Sequence, residues 1–304
     1  MNILITQLGP KKADYIVECI KQLLFFNNKN IYLISNTYHK NLLKKYKLIN
    51  KIKFFHEKNL IRDPEHIIFL NRTSLDKKWF QSFWLKTTER FFFINALAKK
   101  LKLINILHIE TDNLLYANLD NIEKILEKKF NYLFALLNKN ISYANILYFR
   151  SSRETNNFAN FIYKNHNSFF FKKNLNDMNL ITAFYKKFKS KKNSTFPIST
   201  KKILHNNRLS IKNNSYCYKN YDIFKGIFDA APIGQIIDGV DYRIHKLRGP
   251  YVNKKYFMDA SNLKIKFLKI NQKKLPFIMI NKNQKVPILN IHFHSKNLKK
   301  YTSY

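Results

Sequence analysis

The chain has 304 residues, 45% of them hydrophobic and 15% aromatic, enough to bury a sizeable core and to exclude intrinsic disorder. Its 55 Lys and Arg against 19 Asp and Glu give a formal net charge of +36, which directs attention to polyanions such as nucleic acid or an anionic membrane. No apolar run reaches the roughly 18 to 20 uncharged residues of a membrane-spanning helix, and Met1 leads directly into a strand-like segment instead of a signal peptide, so a cytoplasmic protein is expected.

The first apolar run, Asn2-Ile-Leu-Ile-Thr6, is followed by Gly9-Pro10 and by Tyr15, Ile16, Cys19, Ile20, Leu23 and Leu24 at helical spacing, a strand, turn and helix. Further strands are predicted at Ile31 to Asn36 and Ile52 to His56, separated by a Lys-rich helical piece. Strands alternating with helices of this length argue for an α/β fold with a largely parallel sheet covered on both faces. From Thr73 to about Lys100, the residues Trp79, Phe83, Trp84, Thr87, Phe91, Ile94 and Leu97 keep close to a 3.6-residue period and predict one long helix or two. The strand Ile104 to Glu110 follows, then a helix around Leu119 to Lys128 and strands at Tyr132 to Leu137 and Ala144 to Phe149. Ser151 and Glu154 have capping-box spacing and predict a helix start, and another helix runs from about Asp177 to Lys189. Residues 190 to 220, rich in Lys, Asn and Ser, read as a loop or irregular excursion. Strand-like runs Phe277 to Ile280 and Ile288 to His294 end the pattern, with no internal repeat.

With so few acidic residues, Glu110 and Asp112 at the end of an apolar strand carry information. In an extended chain residues i and i+2 face the same side, so both carboxylates would converge just beyond the strand's carboxyl end, where open α/β sheets bind ligands. Two hard oxygen donors suit Mg²⁺ or Mn²⁺; a solvated strand end with two plain acids is the alternative.

The run Leu107-His-Ile-Glu-Thr-Asp-Asn113 resembles the metal-binding acidic signature of GT-A glycosyltransferases, with Glu in place of the first Asp. Thr88-Glu-Arg-Phe91, one helix upstream, is similar to the segment in which an Arg faces the donor, and Leu289-Asn-Ile-His-Phe-His-Ser-Lys296 is similar to a C-terminal segment that places a His on the metal and a Lys on the diphosphate. Asn145 to Arg150 and Asn176-Asp-Met-Asn179 resemble the next strand and an acidic helix start near the sugars. Phe228 to Gly239 resembles a sugar-side loop, and holds two of only five glycines, residues used where a backbone turns or approaches something closely.

The resemblance covers most of the chain and implies a single GT-A domain with a Rossmann-like, mostly parallel sheet, a nucleotide-binding half of about residues 1–118 and an acceptor half of about 119–304. It implies Glu110, Asp112 and His292, or else His294, as ligands of Mn²⁺ or Mg²⁺. Arg90, Gln7, Gln235 and Lys296 are the implied donor contacts, and Asp229 or Asp177 the implied catalytic carboxylate. Arg90 could equally form an ion pair, and Asp177 could be a plain N-cap. The implied partners are a nucleotide-diphospho-sugar and a glycan or lipid-linked acceptor. Separately, the positive charge would favour peripheral contact with anionic lipids of the inner membrane surface. The positive charge of the pre-placed residues would stabilise the leaving diphosphate.

Two rival readings remain open. A metal-dependent nucleotidyltransferase shares the sheet-edge acids but usually carries a Gly-rich phosphate loop, and only Gly9 is near the N-terminus. A basic nucleic-acid-binding protein would explain the charge, but the lysines are spread from Lys11-Lys12 to Lys299-Lys300 in a chain rich in Asn, Ile and Phe, the bias of A+T-rich coding DNA. No RNA-binding signature accompanies them, so no specific nucleic acid is expected. Cys19 and Cys217 have neither the number nor the spacing of a disulfide framework or zinc site.

Overall fold

The computed structural model describes residues 1–75, 77–78, 82–166, 176–207, 209–240 and 263–304. Its first part alternates strands and helices: β1 (Asn2–Thr6), α1 (Ile16–Phe25), β2 (Asn30–Ser35), α2 (Thr37–Lys45), β3 (Lys53–His56), α3 (Pro64–Arg72), α4 (Phe83–Leu101) and β4 (Ile104–Ile109). The second part contains β5 (Asn113–Leu115), α5 (Glu123–Lys129), β6 (Tyr132–Asn138), β7 (Ile141–Ser151), α6 (Ser152–Asn165), α7 (Asp177–Lys187), β8 (Asn193–Thr195) and α8 (Lys201–Asn206). It closes with α9 (Tyr221–Phe224), β9 (Ile227–Phe228), α10 (Pro232–Asp238), β10 (Ile265–Ile270), β11 (Lys273–Met279) and β12 (Lys285–His292).

Seven strands form one sheet in the order β3-β2-β1-β4-β7-β6-β8. All neighbours are parallel except β7, which runs against both β4 and β6. The period of two along each strand sorts side chains onto the two faces. Ile3, Ile5, Leu107, Ile109 and Tyr148 enter one core, which also takes in α1. Leu4, Ile106, Leu147 and Phe149 enter the other, beneath α4, α6 and α7. This is the mostly parallel α/β sheet with helices on both faces expected above. A second, antiparallel sheet, β10-β11-β12-β5, has β9 paired to β12, and its Leu114, Ile278, Ile288 and Ile291 belong to the α1-side core.

Helix starts follow local chemistry. Asn36 and Asp63 accept the N–H of His39 and His66, and Pro64 takes the first turn of α3 where no N–H is needed. Ser151 caps α6 by accepting from Arg153 N–H, while its hydroxyl donates to Glu154 at 2.5 Å, so the two residues meet without the reciprocal backbone bond of a full capping box.

Three expectations change. The helix expected from Thr73 begins at Phe83, and Trp79 lies outside the described residues. The polar stretch from 190 to 220 contains β8 and α8. There Asn220 Nδ2 donates to Ser194 Oγ and to the Thr195 carbonyl, and Thr195 Oγ1 donates to the Tyr216 carbonyl. Polar residues with internal partners can be buried like apolar ones, which is why composition alone misread them. The short strands β5, β9 and β10 were not anticipated. Among the described residues no helix is long and apolar enough to cross a membrane.

Buried histidines set the acid response. Burial pushes His39 down to about 4, with Asp14 opposing, and His108 down to about 3, with Arg90 adding to the effect. Both stay neutral in the fold but protonate near 6.5 when unfolded. The unfolded state therefore binds more protons below pH 6.5, and stability falls as pH drops from 6.5 toward 4. Asp229, raised by burial to about 6, works in the opposite direction over much of this window, but one carboxyl is outweighed by two histidines. The urea midpoint is expected to fall between pH 6.5 and 4 by the equivalent of about 2–4 kcal/mol; a flat profile would show that these histidines titrate normally.

Candidate metal centre

From β1 the chain builds outward through β2 and β3, whereas β4 lies on the other side of β1. The crevice beyond the carboxyl ends of β1 and β4 is thus a topological switch point, the place where open α/β sheets accept ligands. Gln7 follows β1 and Glu110 follows β4, and Thr111 Oγ1 donates to Gln7 Oε1 at 3.0 Å across the crevice.

Glu110 and Asp112 do converge, but by a different route from strand alternation. Asn113 N–H donates to the Glu110 carbonyl at 3.2 Å, closing a turn that leads into β5. The antiparallel pairing of β5 with β12 sets Asn113 opposite His292, and Phe293 N–H donates to the Asp112 carbonyl at 2.9 Å. This register delivers His292 to the two acids from a position 180 residues downstream of Asp112.

His292 Nε2 lies 2.9 Å from Asp112 Oδ1 and 3.1 Å from Glu110 Oε2. One ligand atom from each residue falls within 4.8 Å of the others. The Nε2 atom is buried between the two carboxylates. Two carboxylate oxygens and an imidazole nitrogen form a group that could hold a divalent cation. Burial opposes charge on His292, but Asp112 and Glu110 override it and lift the pKa to about 9. Burial likewise opposes ionisation of both acids, and Arg90 at Glu110, with His292 and Lys296 at Asp112, holds them below the usual carboxylate range.

Arg90 of α4 is buried between two acids: Nη1 meets Glu110 Oε1 and Nη2 meets Asp177 Oδ2, each at 2.5 Å. Arg90 thus pairs with Glu110 and Asp177 in the interior and not with Glu89 at the surface; Glu89 binds His66 and Lys86. Asp177 opens α7, and its Oδ1 accepts Met178 N–H at 2.9 Å. Its pKa is raised, because burial outweighs the opposing Arg90.

Asp229 has a structural part. It is fully buried, and its carboxylate accepts N–H groups from Ile233, Gly234 and His292 at 3.0, 2.9 and 3.1 Å. The expected general base is thereby engaged in holding the start of α10 and the backbone of His292. A Cβ on Gly234 would come within 1.9 Å of the His292 carbonyl oxygen, so glycine is required by close approach. Gln235 Nε2 lies 3.4 Å from His294 Nε2, and Tyr143 Oη lies 3.2 Å from the same nitrogen. His294 therefore faces Tyr143 and Gln235, while His292 joins the acids. Lys296 pairs with Asp112 and stands 5.7 Å above the Tyr15 ring.

Sequence reasoning missed a closed ring of buried hydrogen bonds behind the cluster. Asn145 Nδ2 donates to the Asp229 carbonyl at 2.6 Å, Asp229 N–H to Asn290 Oδ1 at 3.0 Å, Asn290 Nδ2 to Asn113 Oδ1 at 2.9 Å, and Asn113 Nδ2 to the Asn145 carbonyl at 3.0 Å. Asn290 at i−2 from His292 and Asn113 beside Asp112 were the available signals, hidden in a chain full of asparagine. Tyr15, beneath Lys296 and raised by burial to about 12, was likewise missed.

No family model and no curated protein matches the sequence. Among solved structures the chain is similar to the glycosyltransferase GlyE of Streptococcus pneumoniae TIGR4, with TM-score 0.39 and 11% identity over 73% of this chain and 50% of that one. An active-site mutant of LgtC gives TM-score 0.39 and 11% identity over 61% and 70% of the two chains. Mouse xyloside xylosyltransferase 1 gives 0.41 and 9% over 62% and 82%. The chain spans half the length of the GlyE chain. Superpositions this loose assign chemistry to no residue.

Replacing Asn290 by Ala leaves Asn113 Oδ1 and Asp229 N–H unsatisfied in a dry interior. A loss of about 2–4 kcal/mol is expected in urea unfolding, against a near-neutral effect of Asn297→Ala on the surface. Equal midpoints for the two variants would mean that the ring contributes nothing.

Proposed function

We propose that the chain is a metal-dependent GT-A glycosyltransferase that moves a sugar from a nucleotide-diphospho-sugar to an acceptor hydroxyl on a glycan or lipid-linked molecule. The observation that carries this reading is the convergence of Glu110, Asp112 and His292 at the switch point of the sheet, with Lys296 alongside. Glu110 and Asp112 would be contributed by a nucleotide-binding half of about residues 1–118, and His292 by an acceptor half of about 119–304.

These three residues would hold the cation, and the nitrogen donor in the set favours Mn²⁺ over Mg²⁺. The cation, when bound, neutralises charge on the diphosphate. Lys296 would exchange its bond to Asp112 for phosphate oxygens and stabilise the charge that grows on the leaving group. Arg90 holds Glu110 and Asp177 in place, making it a positioning residue in this reading. Gln7, bonded to Thr111 at the switch point, and Gln235, beside His294, would be the remaining donor contacts. Asp177, paired with Arg90, is better suited to orient a sugar hydroxyl than to accept its proton, and Asp229 sustains His292 from behind.

Calorimetric titration of UDP and GDP with and without Mn²⁺ tests the reading. Metal-dependent binding of one nucleotide is expected, weakened in Asp112→Ala by at least the roughly 10–100-fold that loss of a supporting outer-shell partner typically costs a metal site. Binding of neither nucleotide, together with tight metal-independent binding to DNA or RNA, would replace the transferase reading by the nucleic-acid one.

Thermal unfolding gives a second test. Mn²⁺ at 100 times its Kd is expected to stabilise the protein by about 2.7 kcal/mol, and His292→Ala is expected to remove that gain. An unchanged melting curve with Mn²⁺ would separate the cluster from metal binding.

A further inference from the structure

We infer that the outer face of the β10-β11-β12 sheet docks on an anionic lipid bilayer. Residues 263–304 contain ten Lys and neither Asp, Glu nor Arg. Residues directly opposite on paired strands share a face, and the register arranges two rows across the three strands. Lys264, whose carbonyl accepts Met279 N–H, lies in a row with Met279 and Lys285. Lys266 lies in the next row with Phe277 and Pro287. Leu268 and Ile270 continue the same face along β10, since they alternate with Phe267, which packs inward on Tyr116 and Tyr301.

This face mixes charge with apolar surface. Lys264, Lys266 and Lys285 are exposed, and among the described residues none of them forms an ion pair. Lys285 stands 4.7 Å above the Phe277 ring, covering it with its stem as amphipathic side chains do. Leu268, Ile270 and Met279 are half-buried and belong to neither hydrophobic core. The net charge of the whole chain says only that it attracts anions. The local combination says which kind: flat rows of lysine interleaved with aliphatic side chains complement a surface with anionic headgroups and an accessible apolar layer. A nucleic acid would leave the aliphatic groups without a partner, and the face offers no Arg for base edges or exposed ring for stacking.

The docking face is independent of the chemistry at the Glu110 cluster, but the two share a strand. β12 carries Lys285 at one end and His292 at the other, about 23 Å apart at 3.3 Å per residue. A docked β12 would hold the crevice at a fixed height above the bilayer.

Vesicle flotation tests the inference. The full chain is expected to float with phosphatidylcholine vesicles containing phosphatidylglycerol, and to stay in solution with phosphatidylcholine alone. Each lysine near an anionic surface contributes about fivefold to partition, so K264E, K266E and K285E together are expected to lower binding by at least about 100-fold. The same reversal at the exposed Lys40, Lys44 and Lys45 of α2 is the control, and is expected to change binding far less. Both triple variants must retain the wild-type melting temperature, and L268Q with I270Q should weaken the binding that survives at high salt. Equal losses in the two triple variants would overturn the inference in favour of diffuse attraction. So would tight binding to duplex DNA with no flotation on anionic vesicles.

Discussion

The cluster at the switch point depends on satisfying buried polar groups where the two sheets meet. His292 reaches Glu110 and Asp112 only because β12 pairs with β5 in a single register, and a two-sheet junction with unpaired amides would be costly. Asn113, Asn145, Asn290 and the Asp229 backbone close a ring of hydrogen bonds at that junction. Asp229 then uses its side chain on His292 N–H and the first turn of α10. A slip of β12 by one residue would turn His292 away and break the ring at once. The position of His292 and the stability of the fold are set by the same bonds.

The acids illustrate a second constraint. In a chain with 19 acidic and 55 basic residues, Glu110, Asp112 and Asp177 gather against Arg90, His292 and Lys296. With His292 protonated, three negative charges face three positive ones, and the buried group is neutral. A divalent cation that displaced the His292 proton would raise the group by one charge and so favour an anionic ligand, for which Lys296 would be the cation best placed to leave its carboxylate. Paired charges of this kind add little net stability when buried, which makes a functional reason for their concentration more compelling.

Much of the layout was legible in the sequence because it follows from periodicity. The strands at Asn2 and Ile31 hold continuous apolar runs and that at Ile104 is interrupted only by Asn105 and His108, as befits strands buried on both faces, and their alternation assigns Ile3 and Leu4 to opposite cores. Glu110 and Asp112 stood out because acids are rare. What could not be read is pairing between distant segments. Nothing local in Asn113-Leu-Leu115 announces a strand that pairs with β12, and nothing in Asn193-Ser-Thr195 announces a buried edge strand whose polar groups find partners near Tyr216 and Asn220. The convergence of the acids was expected from strand alternation, whereas a turn produces it; the residues were legible and the backbone path was not.

The altered part of Asp229 shows how burial changes the meaning of a residue type. An acid in a glycine-containing loop reads as a base or sugar ligand when only neighbours in sequence are visible. In the fold it has no exposure and three backbone donors, so a proton taken up there would break bonds that hold His292 and α10. Burial still raises its pKa to about 6, a value that in isolation would suggest a poised base. Geometry decides the matter, because a general base must reach the proton it removes. A fully buried carboxylate occupied by the N–H groups of Ile233, Gly234 and His292 does not meet that condition in this structure, whatever its affinity for protons.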